Sequence, residues 1–284
     1  MRTGVGVLVG LMMLTAAPLA AATGVAFVHG TGTENDALNN YWTSKFVNAV
    51  RDGLPDPDLY VVANCDFEQY VFKEAAAGCL ADTLNDFITA NAIDDLVVVT
   101  HSHGGNVMRW ILSNPSFDER YPPIIDVVRS VEALAPSSAG TPLADAVIDG
   151  NIFEEAVGWL LGYVNDGVRM QQEAWMAHIN DTWLYGTDGR PELPVQFLSM
   201  VGTDVETAIW DGDSYCGGYF LNLGLEVTQW WLNSCSDGFL DCSSQRAAGY
   251  YVYDHEFTKD REPLCHNQSR RKCFKLDQYL RDRL

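Results

Sequence analysis

Leu96-Val97-Val98-Val99-Thr100 is a strand-like run that stops at His101-Ser102-His103-Gly104-Gly105. Val107, Met108, Ile111 and Leu112 then recur at helical spacing, so the stretch reads as a buried strand, a sharp turn and an amphipathic helix. A serine on such a turn is pushed clear of the sheet, its hydroxyl exposed at the amino end of the next helix. The chemistry open to it is nucleophilic attack, given a base to take its proton. Gly104 and Gly105 are small enough for strand and helix to approach, and Thr100 stands where this kind of turn more usually has a glycine. A tight strand-to-helix turn without chemistry would use similar residues, so the serine must be judged by its partners.

The first partner lies upstream. Val25-Ala26-Phe27-Val28 is again an apolar strand, and it ends in His29-Gly30-Thr31-Gly32. Acyl transfer develops negative charge on a carbonyl oxygen, and two backbone N–H groups are the usual receiver. His103, directly after the serine, and Thr31, on the early loop, are the expected donors. Glycines beside Thr31 let the backbone approach a substrate without a Cβ in the way.

These two motifs resemble the α/β-hydrolase superfamily and, within it, secreted bacterial triacylglycerol lipases and esterases. Two more segments extend the likeness. Ser130 to Asp145 looks like the strand after the nucleophile helix running into the loop before a lid, and Ser236 to Ser244 is similar to the Asp-Gly segment that carries the acid in those lipases. The resemblance implies an α/β-hydrolase fold with a mostly parallel central sheet flanked by helices and a helical lid or cap insertion. It also implies the chain order serine, acid, histidine for the triad.

For the acid, Asp237 is preferred because Asp237-Gly238 sits in a turn inside the lipase-like segment. Asp204, after a strand, is the alternative, with Asp211 and Asp213 behind it. Only His255 and His266 follow as bases. His255 ends the last strand; His266 is on the loop beyond it, beside Cys265, and is favoured because a Cys265–Cys273 bridge would pin that loop. The catalytic set expected is therefore Ser102, Asp237 and His266, with Thr31 and His103 forming the oxyanion hole. Related lipases often steady the histidine loop with calcium on a following aspartate. Here Asn267 and Gln268 follow His266, so no metal and no cofactor is carried over.

Strands are expected at 24–28, 59–63, 96–100, 127–134, 194–203 and 249–254. Helices are expected at about 37–52, 74–90 and 104–113, with a helix-like end over 270–284. This alternation implies right-handed crossovers on a parallel sheet. From about 143 to 190 the alternation fails, and Ile152 to Val164 is apolar on nearly every side; it reads as the lid or as an ordinary buried cap helix.

Residues 1–22 read as a signal peptide, with Arg2, an apolar core from Val5 to Leu14 and small residues at Ala20-Ala21-Ala22; 23–284 is then one hydrolase domain. All seven cysteines lie beyond it, which suits an oxidising compartment, secreted or periplasmic. Cys65–Cys79 and Cys265–Cys273 are the sequence-local pairings. Cys216–Cys242 would match the bridge that steadies the acid loop in related lipases, leaving Cys235 over. The net charge of −20 repels nucleic acid and anionic lipid headgroups. The expected partner is an acyl-ester or lipid substrate, with transient binding to a lipid interface for which the eight tryptophans offer material. An acyltransferase, thioesterase or polyester depolymerase would use the same machinery. A non-catalytic secreted binding protein would have lost the serine or the oxyanion motif, and both are present. Acyl-chain length, head group, oligomeric state and any need for an export foldase are left open by the sequence.

Overall fold

The computed structural model describes residues 22–150, 164–254 and 262–284. Six parallel strands form one sheet in the order β2-β1-β3-β4-β5-β6. They are β1 Ala22–Val28, β2 Tyr60–Val62, β3 Ile93–His101, β4 Val128–Leu134, β5 Gln196–Val201 and β6 Tyr250–Asp254. The Val-rich runs fit a sheet covered on both faces, where side chains at alternate positions each need an apolar partner. Val98 and Val131 thus join one core cluster, and Val99, Leu134 and Met200 join another.

The first face is covered by α3 Cys79–Asn91, α4 Gly104–Ser113 and α5 Tyr121–Val127. The second face carries α2 Ser44–Arg51 and the C-terminal helix α11 Leu276–Arg281, whose Leu276 and Leu280 share a cluster with Phe46, Val47 and Val50. Beyond the carboxyl ends of the strands lie α6 Pro142–Ile148, α7 Asp166–Met170, α8 Glu173–Thr182, α9 Tyr219–Thr228 and α10 Cys242–Gln245. A third apolar cluster, including Leu143, Val168, Val205, Leu225, Phe239 and Leu240, joins α6, α7 and α9 to the acid turn, while Met176 and Ile179 of α8 pack into the first cluster.

The expected helix over 37–52 is broken into α1 Ala37–Asn40 and α2, with Thr43 capping the second by accepting a hydrogen bond from the Phe46 N–H. The break turns Tyr41 toward the sheet's carboxyl edge. α5, which the alternation of strands and helices does not mark, carries Pro122 and Pro123 in its first turn. Proline is tolerated in a first helical turn, where its missing N–H would have no partner anyway. The C-terminal helix is shorter than expected because Phe274 and Lys275 adopt left-handed backbone angles before it.

Two disulfide expectations are corrected. Cys65–Cys79 forms as expected, but the other bridges are Cys216–Cys273 and Cys235–Cys242. Cys265 is free and buried, so neither Cys265–Cys273 nor Cys216–Cys242 exists. The two sulfurs are packed apart: Cys265 belongs to the cluster with Leu225 and Phe239, whereas Cys273 belongs to another with Leu276. Cys235 is not left over; it brackets the acid turn with Cys242. Of the expected lid, the segment 151–163 lies outside the described residues. So do residues 1–21 of the expected signal peptide, and β1 begins at Ala22.

Candidate active site

In open α/β sheets, ligands gather outside the carboxyl ends of the strands, where the strand order reverses. Here that point lies between β1 and β3, whose ends carry Thr31 and Ser102. Ser102 has a left-handed φ of +53°, a costly angle for a residue with a side chain. It is held there by its own N–H, which donates to the Leu134 carbonyl at 2.9 Å. Two glycines make room for it. A Cβ on Gly104 would come within 2.1 Å of the His29 carbonyl oxygen, and one on Gly30 within 2.9 Å of the Ser102 Cβ. The β1 loop and the serine turn are thus packed backbone against backbone.

Among the described residues, the Thr31 and His103 backbone N–H groups have no backbone acceptor. Thr31 is oriented by Gln171, whose amide donates to the Thr31 hydroxyl at 2.8 Å and to the Gly167 carbonyl at 3.1 Å. Gln171 escaped the sequence reading, since nothing in its neighbourhood marks it before the chain folds back.

Asp237 is fully buried in a turn closed by the Cys235–Cys242 bridge. One carboxylate oxygen accepts from the N–H groups of Phe239 at 2.9 Å and Leu240 at 2.7 Å. The other accepts from His266 Nδ1 at 2.8 Å. The His266 N–H also donates to the Asp237 carbonyl at 2.8 Å, so the two residues are tied by backbone and side chain alike. Asp204, by contrast, is exposed and accepts from the Val205 N–H and Gln229, and Asp211 accepts from the Asp213 N–H. His255 lies outside the described residues.

His101, which precedes the nucleophile in the serine turn, also supports the histidine loop. Its Nε2–H donates at 2.9 Å to the His266 carbonyl and to the Ser269 hydroxyl, and that hydroxyl donates to the same carbonyl at 2.7 Å. With Nε2 carrying the proton, Nδ1 accepts from the Tyr41 hydroxyl. Burial, reinforced by nearby His266, holds His101 well below the usual imidazole range, so it stays neutral. Burial likewise pushes His29 and His103 down to about 4.

Ser102 and His266 open onto one cavity of about 70 Å³, lined also by Thr31, by the apolar Leu221, Leu225 and Phe239, and by Arg270. A larger recess of about 590 Å³, lined by residues of 186–197 and by Tyr250, lies where β5 and β6 begin. That is the opposite end of the strands from Ser102.

No protein-family model and no curated protein matches the sequence. Among solved structures the chain is similar to Bacillus licheniformis lipase BlEst2 in mature form, with TM-score 0.64, 17% identity and 93% of each chain covered. It is also similar to phospholipase PlaB from Legionella pneumophila, with TM-score 0.53 and 16% identity, covering 80% of this chain and 45% of that one. The all-parallel sheet, the serine turn after β3 and the likeness to these structures identify the fold of this chain as that of the α/β-hydrolases.

Proposed function

We propose that this chain is an exported carboxylic-ester hydrolase working through an acyl-enzyme on Ser102. One observation carries the proposal: a serine forced to φ +53° after a buried strand shares its cavity with a histidine bonded to a fully buried carboxylate. Ser102 Oγ attacks the ester carbonyl and its proton passes to His266 Nε2. Asp237 holds Nδ1–H and stabilises the imidazolium that results. The oxyanion is received by the Thr31 N–H of the loop after β1 and the His103 N–H at the amino end of α4. The intermediate collapses, and His266 returns the proton to the departing alkoxide. Water then repeats the cycle on the acyl-enzyme: it yields a proton to His266, its oxygen bonds the acyl carbon, and Ser102 leaves reprotonated.

The substrates proposed are lipid-like esters. Leu221 and Leu225 of α9 wall the cavity, and the same region turns apolar surface outward: Phe220 is 85% exposed, Trp210 86% and Trp230 87%. Exposed apolar patches of this kind mark contact surfaces, and tryptophan suits an interface that is apolar on one side and wet on the other. A net charge of −20 favours a neutral or zwitterionic surface over an anionic one. The cavity of about 70 Å³ beside Ser102 is small, which suits a short acyl group. The apolar N-terminal segment and the three disulfides support export into an oxidising compartment. Hydrolysis of a chain-length series of p-nitrophenyl esters and of emulsified triglycerides, wild type beside Ser102→Ala, tests the proposal. Turnover that vanishes in the variant supports it, and a wild type inert on every ester refutes it.

A further inference from the structure

Arg270 is a half-buried cation that lines the Ser102 cavity, in a chain whose charge is otherwise heavily negative. Its guanidinium lies 4.2 Å from the centroid of the Tyr41 ring, and its Nη1 donates to the Tyr41 carbonyl at 2.7 Å. Arg271 Nη1 donates to the same carbonyl at 2.6 Å. Two adjacent guanidiniums therefore share one neutral oxygen. Among the described residues, neither forms an ion pair with a carboxylate. Glu34 is the acid whose field reaches Arg270, and it makes no ion pair with it. Burial lowers both arginines, Arg271 to about 9, which marks charge taken out of water without full compensation.

Holding the histidine loop against Tyr41 would need only one such contact. A pair of like charges packed together, one of them lining the nucleophile's cavity, is costly, and the cost is recovered when an anion arrives. The guanidinium fork also matches a carboxylate or phosphate in shape, and the Tyr41 ring fixes its plane before binding.

We infer that Arg270 is a specificity residue that receives a negatively charged oxygen group of the substrate, a carboxylate or a phosphodiester, close to the ester cleaved at Ser102. The inference rests on the ester-hydrolase proposal and adds the substrate class. It agrees with the acidic exterior, because the charge being read is a single group inside the cavity rather than an anionic surface.

Two substrate pairs test it. p-Nitrophenyl butyrate is compared with the p-nitrophenyl hemiester of succinate, and dihexanoylglycerol with dihexanoylphosphatidylcholine below its micelle concentration. The readout is the ratio of kcat/KM, charged over neutral, in wild type, Arg270→Gln and Arg270→Lys. One charge-assisted contact predicts a ratio that falls about 10- to 100-fold in Arg270→Gln and is partly kept in Arg270→Lys. Whichever pair shows the Arg270-dependent ratio names the carboxylate or the phosphodiester as the group recognised. Inorganic phosphate should compete with the neutral ester in wild type and lose potency in Arg270→Gln, a readout taken on variants that keep the wild-type circular dichroism. Equal ratios across the three proteins in both pairs would overturn the inference while leaving the hydrolase proposal standing. A wild type inert on all four substrates would overturn both.

Discussion

Acidification should destabilise this protein through imidazoles buried behind the nucleophile, and His103 allows the effect to be isolated. His103 is fully buried, and neither of its ring nitrogens has a hydrogen-bond partner among the described residues. Burial, with nearby His29 adding to it, pushes its pKa down to about 4. In the unfolded chain a histidine titrates near 6.5, so between about pH 6.5 and 4 the unfolded state binds more protons. The contribution is therefore complete above about pH 6.5, is lost as pH falls, and levels off below about 4. Keeping the ring neutral down to about pH 4 rather than 6.5 corresponds to about 3 kcal/mol for this one side chain, a large share of the roughly 5–15 kcal/mol of a typical domain. Because the ring makes no hydrogen bond, His103→Leu removes the titration without stranding a partner. Urea unfolding of both proteins at pH 7.5, 6, 5 and 4 gives the two stability curves. The variant's curve should be flatter by about 3 kcal/mol over that span. Identical slopes in the two proteins would refute the assignment of His103 as a buried neutral base.

Asp237→Asn should lower kcat on p-nitrophenyl butyrate by about 10²- to 10⁴-fold, the usual worth of a positioned acid–base system, while Asp204→Asn stays within about twofold. Initial-rate kinetics on the two variants checks the contrast. Tyr41→Phe strips the donor from His101 Nδ1 and should cost about 1–3 kcal/mol in thermal or chemical unfolding, since it leaves a buried acceptor unmet. Thiol titration should find one group per chain after unfolding without reductant and none in the folded protein, because Cys265 is buried with its thiol pushed up to about 12. Two or more reactive thiols in the unfolded chain would contradict the pairing of Cys235 with Cys242 or of Cys216 with Cys273.

The strands and the serine turn were legible because their signal is local. A doubly covered parallel strand needs a run such as Val97-Val98-Val99, and a turn that must bring two backbones together needs residues as small as Gly30 and Gly104. The pairing of Asp237 with His266 was legible through the order of segments along the chain, whereas Asp204 differs from Asp237 in surroundings that form only on folding. What stayed hidden depends on chain reversal. The Cys216–Cys273 bridge spans 57 residues, and no spacing rule separates it from Cys216–Cys242. Tyr41 lies in what looks like a continuous helix and reaches His101 only because Thr43 restarts the helix behind it. Gln171 and Arg270 are polar residues in polar-looking stretches, and their place beside the cavity follows from the packing of loops on the sheet's carboxyl edge.

The central claim is that Ser102 forms a covalent acyl-enzyme. Incubation with a fluorophosphonate ester, followed by intact-mass measurement and peptide mapping, tests it most directly. A single adduct on the peptide containing Ser102, formed with loss of esterase activity and absent from both Ser102→Ala and acid-unfolded protein, is the expected result. A folded wild-type protein that takes up no label, or one labelled equally in Ser102→Ala, would contradict it.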